Sequence, residues 1–294
     1  MKYKLAQRIL FKILSTKINA VGLISPAKAA QIAYKIFSTP ARTSNKKQVP
    51  PVFKKAIRVS LKLNGTIIRG FQWKHPDSQS KKILIVHGFS SNIFKFEPYV
   101  LTLKQAGFEV LAFDAPAHGI SDGKEINALI YRDMILAIEN EFGNLFGMIA
   151  HSLGGLAASM ALEQLNMPEN RRLVLIAPAT ETTTTIDGFY QMLSFSDTVK
   201  TAFQEFIQQL ANEPPSFYSV ARIARKSLAP TLWIHDEEDF ICPISDVNPV
   251  IAENIPTLEF FITKGLGHNY IYKNPKTIQR VIHFLTGRKE GDFL

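Results

Sequence analysis

Several protein classes need residues that this chain holds in small supply. It has a single cysteine, Cys242. That excludes an internal disulfide framework and a thiolate metal cluster, and it points to a reducing compartment. His-Glu-x-x-His and paired Cys–His spacings are missing, as are glycine-rich phosphate and dinucleotide fingerprints, so neither a metal nor a cofactor is expected. Runs of about 18 apolar residues are also missing, and the apolar start, Met1 to Ala20, is broken by Lys4, Arg8, Lys12 and Lys17. The chain therefore reads as a soluble, cytoplasmic protein with neither a membrane span nor a signal peptide. Acid is nearly absent from the first 82 positions, where Asp77 faces 18 Lys and Arg, a balance of +17. Residues 83–294 hold 16 Lys and Arg against 24 Asp and Glu, a balance of −8. The net charge of +9 belongs to one end of the chain, so no nucleic-acid partner is expected from it.

What is present is ordinary globular material, with 46% hydrophobic and 20% charged residues over a length that suits one large domain or one domain with an insert. Leu5, Ile9 and Ile13 recur every fourth position, and Leu10 and Leu14 widen the stripe, which predicts a basic amphipathic helix over Leu5 to Leu14. Packing of this stripe on the protein's own core is the favoured expectation; peripheral docking on a membrane through residues 1–20 is the alternative. Ser25 and Pro26 open a second helix that runs to Phe37. Thr39 to Pro51, rich in Pro, Lys, Ser and Asn, reads as a linker, so residues 1–52 form a basic N-terminal extension.

From Ile57 onward the pattern turns to strands. Ile57 to Leu63 and Thr66 to Trp73 flank Asn64-Gly65, a hairpin signal. Near-continuous apolar runs follow at Ile83 to Val86, Val110 to Phe113, Phe146 to Ala150, Leu173 to Ala177, Thr231 to Ile234 and Leu258 to Ile262, with helical patterns between them. This alternation predicts an α/β fold with a doubly wound, mostly parallel sheet. Residues 53–179 and 228–294 supply that core. Residues 180–227 are too many for a simple crossover and form a helical cap insert rich in Phe, Tyr, Met and Leu.

The chemistry concentrates at Ala150-His151-Ser152-Leu153-Gly154-Gly155, placed between an apolar strand and a helical pattern. A serine on such a sharp turn, with small neighbours, is a nucleophile elbow; the bland alternative is that Ser152 only caps the helix that follows. With this motif the sequence resembles the α/β-hydrolase superfamily over about Ile57 to Leu285. Ala150 stands where the family more often has glycine. The resemblance assigns His87-Gly88-Phe89 to an oxyanion loop, with the backbone N–H groups of Phe89 and Leu153 as donors, and gives Asp114 and His118 structural roles.

For the remaining members the resemblance supplies the positions. Acids crowd His235-Asp236-Glu237-Glu238-Asp239, and the family's spacing favours Asp239, with Asp236 in reserve. His268, in Gly265-Leu266-Gly267-His268-Asn269, falls in the loop where the family places its base. His75 sits in a turn, His151 is expected to point away from the site, and His283 lies within a helical pattern. The order Ser152, Asp239, His268 is that of the fold. The expected function is serine hydrolysis of a carboxylic ester or thioester whose apolar acyl group the insert's aromatic residues would accommodate. The alternatives are a peptide or carbon–carbon bond hydrolase with the same triad, or a catalytically idle ligand- or partner-binding protein.

Overall fold

The computed structural model describes residues 5–41 and 49–287. Lys2, Lys4 and most of the linker between Thr39 and Pro51 lie outside the described residues. The strands are β1 (Ile57–Leu63), β2 (Thr66–Trp73), β3 (Lys82–Val86), β4 (Glu109–Phe113), β5 (Leu145–His151), β6 (Arg172–Ile176), β7 (Thr231–Asp236) and β8 (Leu258–Thr263). The helices are α1 (Leu5–Ile24), α2 (Pro26–Ser38), α3 (Pro51–Lys54), α4 (Glu97–Gln105), α5 (Ala128–Phe142), α6 (Leu153–Leu162), α7 (Thr182–Leu193), α8 (Asp197–Ala211), α9 (Val220–Ala224), α10 (Asn248–Ala252), α11 (Gly267–Tyr270) and α12 (Pro275–Thr286).

All eight strands join one sheet in the order β1-β2-β4-β3-β5-β6-β7-β8. β1 and β2 form the expected antiparallel hairpin, turned by Asn64 and Gly65 with φ of 47° and 82°. These positive angles match the right-handed twist of the paired strands, and Asn and Gly reach them at little cost. β2 meets β4 antiparallel, and every pairing from β4 to β8 is parallel. The central strands are buried on both faces, which is why they read as apolar runs and not as alternation. On one face Tyr99, Val100 and Leu103 of α4 and Val281, Ile282 and Leu285 of α12 pack onto Ile83, Ile85, Ile149 and Val174. Strand order reverses at β3, whose neighbours are β4 and β5, so the loops leaving β3 and β5 diverge. A crevice opens at such a switch point, at the carboxyl ends of the strands.

Two compact units result. Residues 40–180 and 220–294 form the sheet unit, and residues 1–39 join residues 181–219 in a smaller helical unit. Two segments that read separately in sequence thus share one core. Ala29, Ala30 and Ala33 of α2 are wholly buried, and Phe37 meets Phe189 and Phe203 at ring distances of 5.0 and 5.8 Å. The apolar positions of the insert, Phe189, Tyr190, Leu193, Phe195, Phe203 and Ile207, are buried in this cluster.

The basic helix departs from expectation in length and in rotation. α1 continues to Ile24, and its inward face is Phe11, Leu14, Ile18 and Val21. Leu5, Ile9, Leu10 and Ile13 point to solvent, with exposures of 72%, 54%, 52% and 60%. The stripe expected to pack inward is the outer face; of its members only Leu14 contributes to the core. Polar contacts account for this rotation: Asn19 Oδ1 accepts from the Ser196 N–H at 2.9 Å, and Asn19 Nδ2 donates to the Ser194 carbonyl at 3.1 Å.

Candidate active site

β5 ends at His151 and α6 begins at Leu153, so Ser152 alone turns the chain. Its φ of 55° and ψ of −123° are costly for a residue with a side chain. The surroundings hold it there. The Ser152 N–H donates to the Ile176 carbonyl at 3.2 Å, and its own carbonyl accepts from Gly155 and Ala179 at 2.8 and 3.0 Å. A Cβ at Gly154 would lie 2.6 Å from the His87 carbonyl oxygen and 2.7 Å from that of Val86, so only glycine lets α6 start this close to β3. Ala150, in the place of the other glycine, is fully buried and pairs with Val86 across the β3–β5 ladder.

The Ser152 hydroxyl makes no cap bond to α6; it meets His268 instead. His268 Nε2 stands 3.0 Å from Ser152 Oγ, and its Nδ1 stands 2.8 Å from Asp239 Oδ2. With Nδ1 donating to the carboxylate, Nε2 is left to accept the serine proton. Asp239 Oδ1 accepts from the Ile241 and Cys242 N–H groups at 2.8 and 2.9 Å, which fixes the carboxylate as an acceptor on both oxygens. All three side chains are nearly sealed from water.

Asp236, the reserve acid, lies elsewhere and has another task. At the end of β7 it is fully buried, and its carboxylate accepts from Thr263 Oγ1 at 2.7 Å, the Leu266 N–H at 3.0 Å and the Glu238 N–H at 3.0 Å. It ties the loop carrying Asp239 to the loop carrying His268. Burial pushes its pKa up, but the hydrogen bonds, that of Thr263 foremost, outweigh burial and hold it below the usual carboxylate value.

Gly88 brings the loop after β3 against the turn, for a Cβ there would lie 2.9 Å from Ser152 Cβ. Phe89 follows it. Leu153 is the first residue of α6, where a helix N–H has no partner within the helix. Asp114 and His118 brace the surrounding loops. Asp114 accepts from the Ile93 and Ile120 N–H groups, each at 3.0 Å, and His118 Nε2 accepts from the Ser90 N–H at 3.0 Å. His87 Nε2 accepts from the Ala115 N–H at 3.0 Å. Burial lowers the pKa of both His87 and His118 to about 4, so each stays neutral, as its accepting nitrogen requires.

Two residues enter the site unannounced by the sequence. His151 does not point away: its Nε2 donates to the His268 carbonyl at 3.1 Å, and its ring lies 4.7 Å from that of His268 and 4.6 Å from that of Tyr272. Burial drives its pKa well down and keeps it neutral. The buried Cys242 thiol feels the nearby Ser152 side chain, and burial raises its pKa far above that of a free thiol. The signal for His151 is its place beside the nucleophile; for Cys242 it is its place three residues after Asp239.

The strained serine thus stands on the β5 to α6 turn, at the switch point of a mostly parallel sheet. The sequence model of the alpha/beta hydrolase family matches residues 83–276, roughly two thirds of the chain. The chain belongs to the alpha/beta hydrolase family. Its similarity to "Putative esterase/lipase 3" of Mycoplasma genitalium is 31% identity over 108 residues, 35% of this chain and 39% of the relative. The protein of the same name from Mycoplasma pneumoniae is 31% identical over 106 residues, 36% of this chain and 38% of the relative. The chain thus spans about two fifths of the length of these relatives. Among solved structures, an esterase of Pyrococcus furiosus superposes with a TM-score of 0.62 at 20% identity, covering 85% of this chain and 98% of that one. The thioesterase domain from the curacin biosynthetic pathway gives 0.56 at 14% identity, covering 78% and 98%. At such identities these likenesses speak for the alpha/beta hydrolase fold, which the sheet order shows independently.

Proposed function

We propose that this alpha/beta hydrolase is a serine enzyme that cleaves a carboxylic ester or thioester bearing an apolar acyl group. The observation that carries the reading is the continuous hydrogen-bonded line from Asp239 through His268 to Ser152. Ser152 Oγ attacks the acyl carbon while His268 Nε2 takes its proton, and the oxygen that gains charge is received by the N–H groups of Phe89 and Leu153. Collapse breaks the bond to the alcohol or thiol, which leaves with the proton from His268, and the acyl group stays on Ser152. Water then gives a proton to His268 and attacks the acyl carbon; collapse breaks the bond to Ser152 Oγ, which takes that proton back from His268, and the acid is released. Asp239 holds the imidazole tautomer and stabilises the imidazolium at both stages.

Support for an apolar acyl group comes from the loops that carry the site. Phe240 and Ile241, directly after Asp239, are 79% and 56% exposed, and Tyr270, two residues after His268, is 68% exposed. Large apolar side chains left in water beside polar machinery mark a surface that receives apolar material. Names of the relatives point the same way, toward esters.

A fluorophosphonate probe should label the protein, and Ser152→Ala should abolish both labelling and p-nitrophenyl butyrate hydrolysis, lowering kcat by more than roughly 10³-fold. Butyrate and hexanoate esters should show a higher kcat/KM than anionic acyl esters or peptides. An unlabelled wild type, or a Ser152→Ala variant within a few-fold of wild type, would overturn the proposal.

A further inference from the structure

The outward face of α1 has no role in the site described above. Projected on a helix of 3.6 residues per turn, Leu5, Ile9, Ile13, Leu23 and Ile24 fall within one sector. All five are exposed, Leu23 and Ile24 at 90% and 89%. Arg8 and Lys12 border this sector on one side and Lys17 on the other, and all three are exposed. The helix cannot turn this face inward, because Phe11 and Ile18 of the opposite face are held in the core and Asn19, on the flank it shares with Arg8 and Lys12, is bonded to residues 194 and 196. Residues 1–39 contain seven Lys and Arg and no Asp or Glu, so the charge that α1 and α2 themselves bring is of one sign.

The geometry points to α1 as a docking surface for an anionic phospholipid bilayer, lying in the interface plane with its apolar sector inserted. Charge and shape together select this occupant. An apolar strip bordered on both sides by long cationic side chains lets the strip enter the acyl boundary while Lys and Arg reach back to the headgroups. A neutral protein groove would leave those cations unanswered. No helix among the described residues is long and apolar enough to cross a membrane, so the attachment is peripheral.

The test uses the full chain with sedimented vesicles, one set rich in phosphatidylglycerol and one of phosphatidylcholine alone. Wild type should bind the anionic vesicles and leave the neutral ones, with binding weakened by added salt. The Arg8→Gln, Lys12→Gln, Lys17→Gln triple variant should bind roughly 100-fold more weakly, since each basic residue near such a surface contributes about five-fold. Ile9→Gln with Ile13→Gln should weaken binding more than roughly ten-fold without shifting Tm, because both positions face water. Failure of wild type to bind anionic vesicles would overturn the proposal. So would equal binding to neutral vesicles, binding unchanged by either variant, or a change of the Ile9, Ile13 variant from oligomer to monomer with no vesicle binding in wild type. Esterase activity toward a soluble ester, read in parallel without vesicles, should be unaltered in both variants.

Discussion

At the scale of single residues, the two acids of the β7 loop separate by what their oxygens touch. Asp239 gives one oxygen to His268 and the other to two backbone N–H groups, so Asp239→Asn removes the charge that steadies the imidazolium and should lower kcat about 10⁴-fold with little loss of fold. Asp236→Asn should act on stability first, because it puts a donor where three donors already point; urea denaturation at pH 7 should show a loss of about 1 to 3 kcal/mol. The sign of its pH dependence follows from the depressed pKa of Asp236. Its stabilisation is present above the unfolded carboxylate value, near pH 4, and fades as pH falls below it through the folded value. The stability gap between wild type and Asp236→Asn should therefore close on acidification; a gap that widens would contradict the assignment. Burial also keeps His87, His118 and His151 neutral, so none of these three should contribute a protonation to the acid limb of kcat/KM near neutral pH, and replacing His118 by Gln should leave the shape of that limb unchanged.

Among elements, the β5 to α6 turn is the most sensitive joint. Gly154→Ala would set a methyl against two backbone carbonyl oxygens of β3 and its loop, atoms that have no side-chain freedom with which to give way. It should cost about 2 to 4 kcal/mol in a thermal melt and lower activity even where fold survives, because α6 and its first N–H move with it. Legibility differed from element to element for physical reasons. The central strands and their hairpin were readable because burial on both faces leaves apolar runs and a positive-φ turn leaves Asn-Gly. Ser152, Asp239 and His268, which the family resemblance singled out, lie within hydrogen-bond reach of one another, because the loops that carry them leave the same end of neighbouring strands. α1 was misjudged because it carries two apolar faces, Leu5 with Ile9 and Ile13, and Phe11 with Leu14, Ile18 and Val21, and periodicity alone does not say which one meets the core. His151 was misjudged because its partner is the carbonyl of a residue 117 positions away, which no local pattern encodes.

On the scale of the whole molecule, the smaller unit is built from two stretches of chain whose apolar faces complete one another. Removal of residues 1–39 would strip α2 from α8 and uncover Phe189, Phe203 and Ile207. The shortened chain should bind more of a hydrophobic dye such as ANS at neutral pH than the intact chain does, and should lose its cooperative melt in that unit.

That discontinuity also orders events in time. Residues 1–39 leave the ribosome 141 residues ahead of the segment that covers them. At synthesis rates of about 5 to 20 residues per second the delay is roughly 7 to 28 seconds. Through that interval the inward face of α1, Phe11 to Val21, has only α2 to pack against. The finished fold leaves in water the face of α1 that the helices of the later segment do not claim.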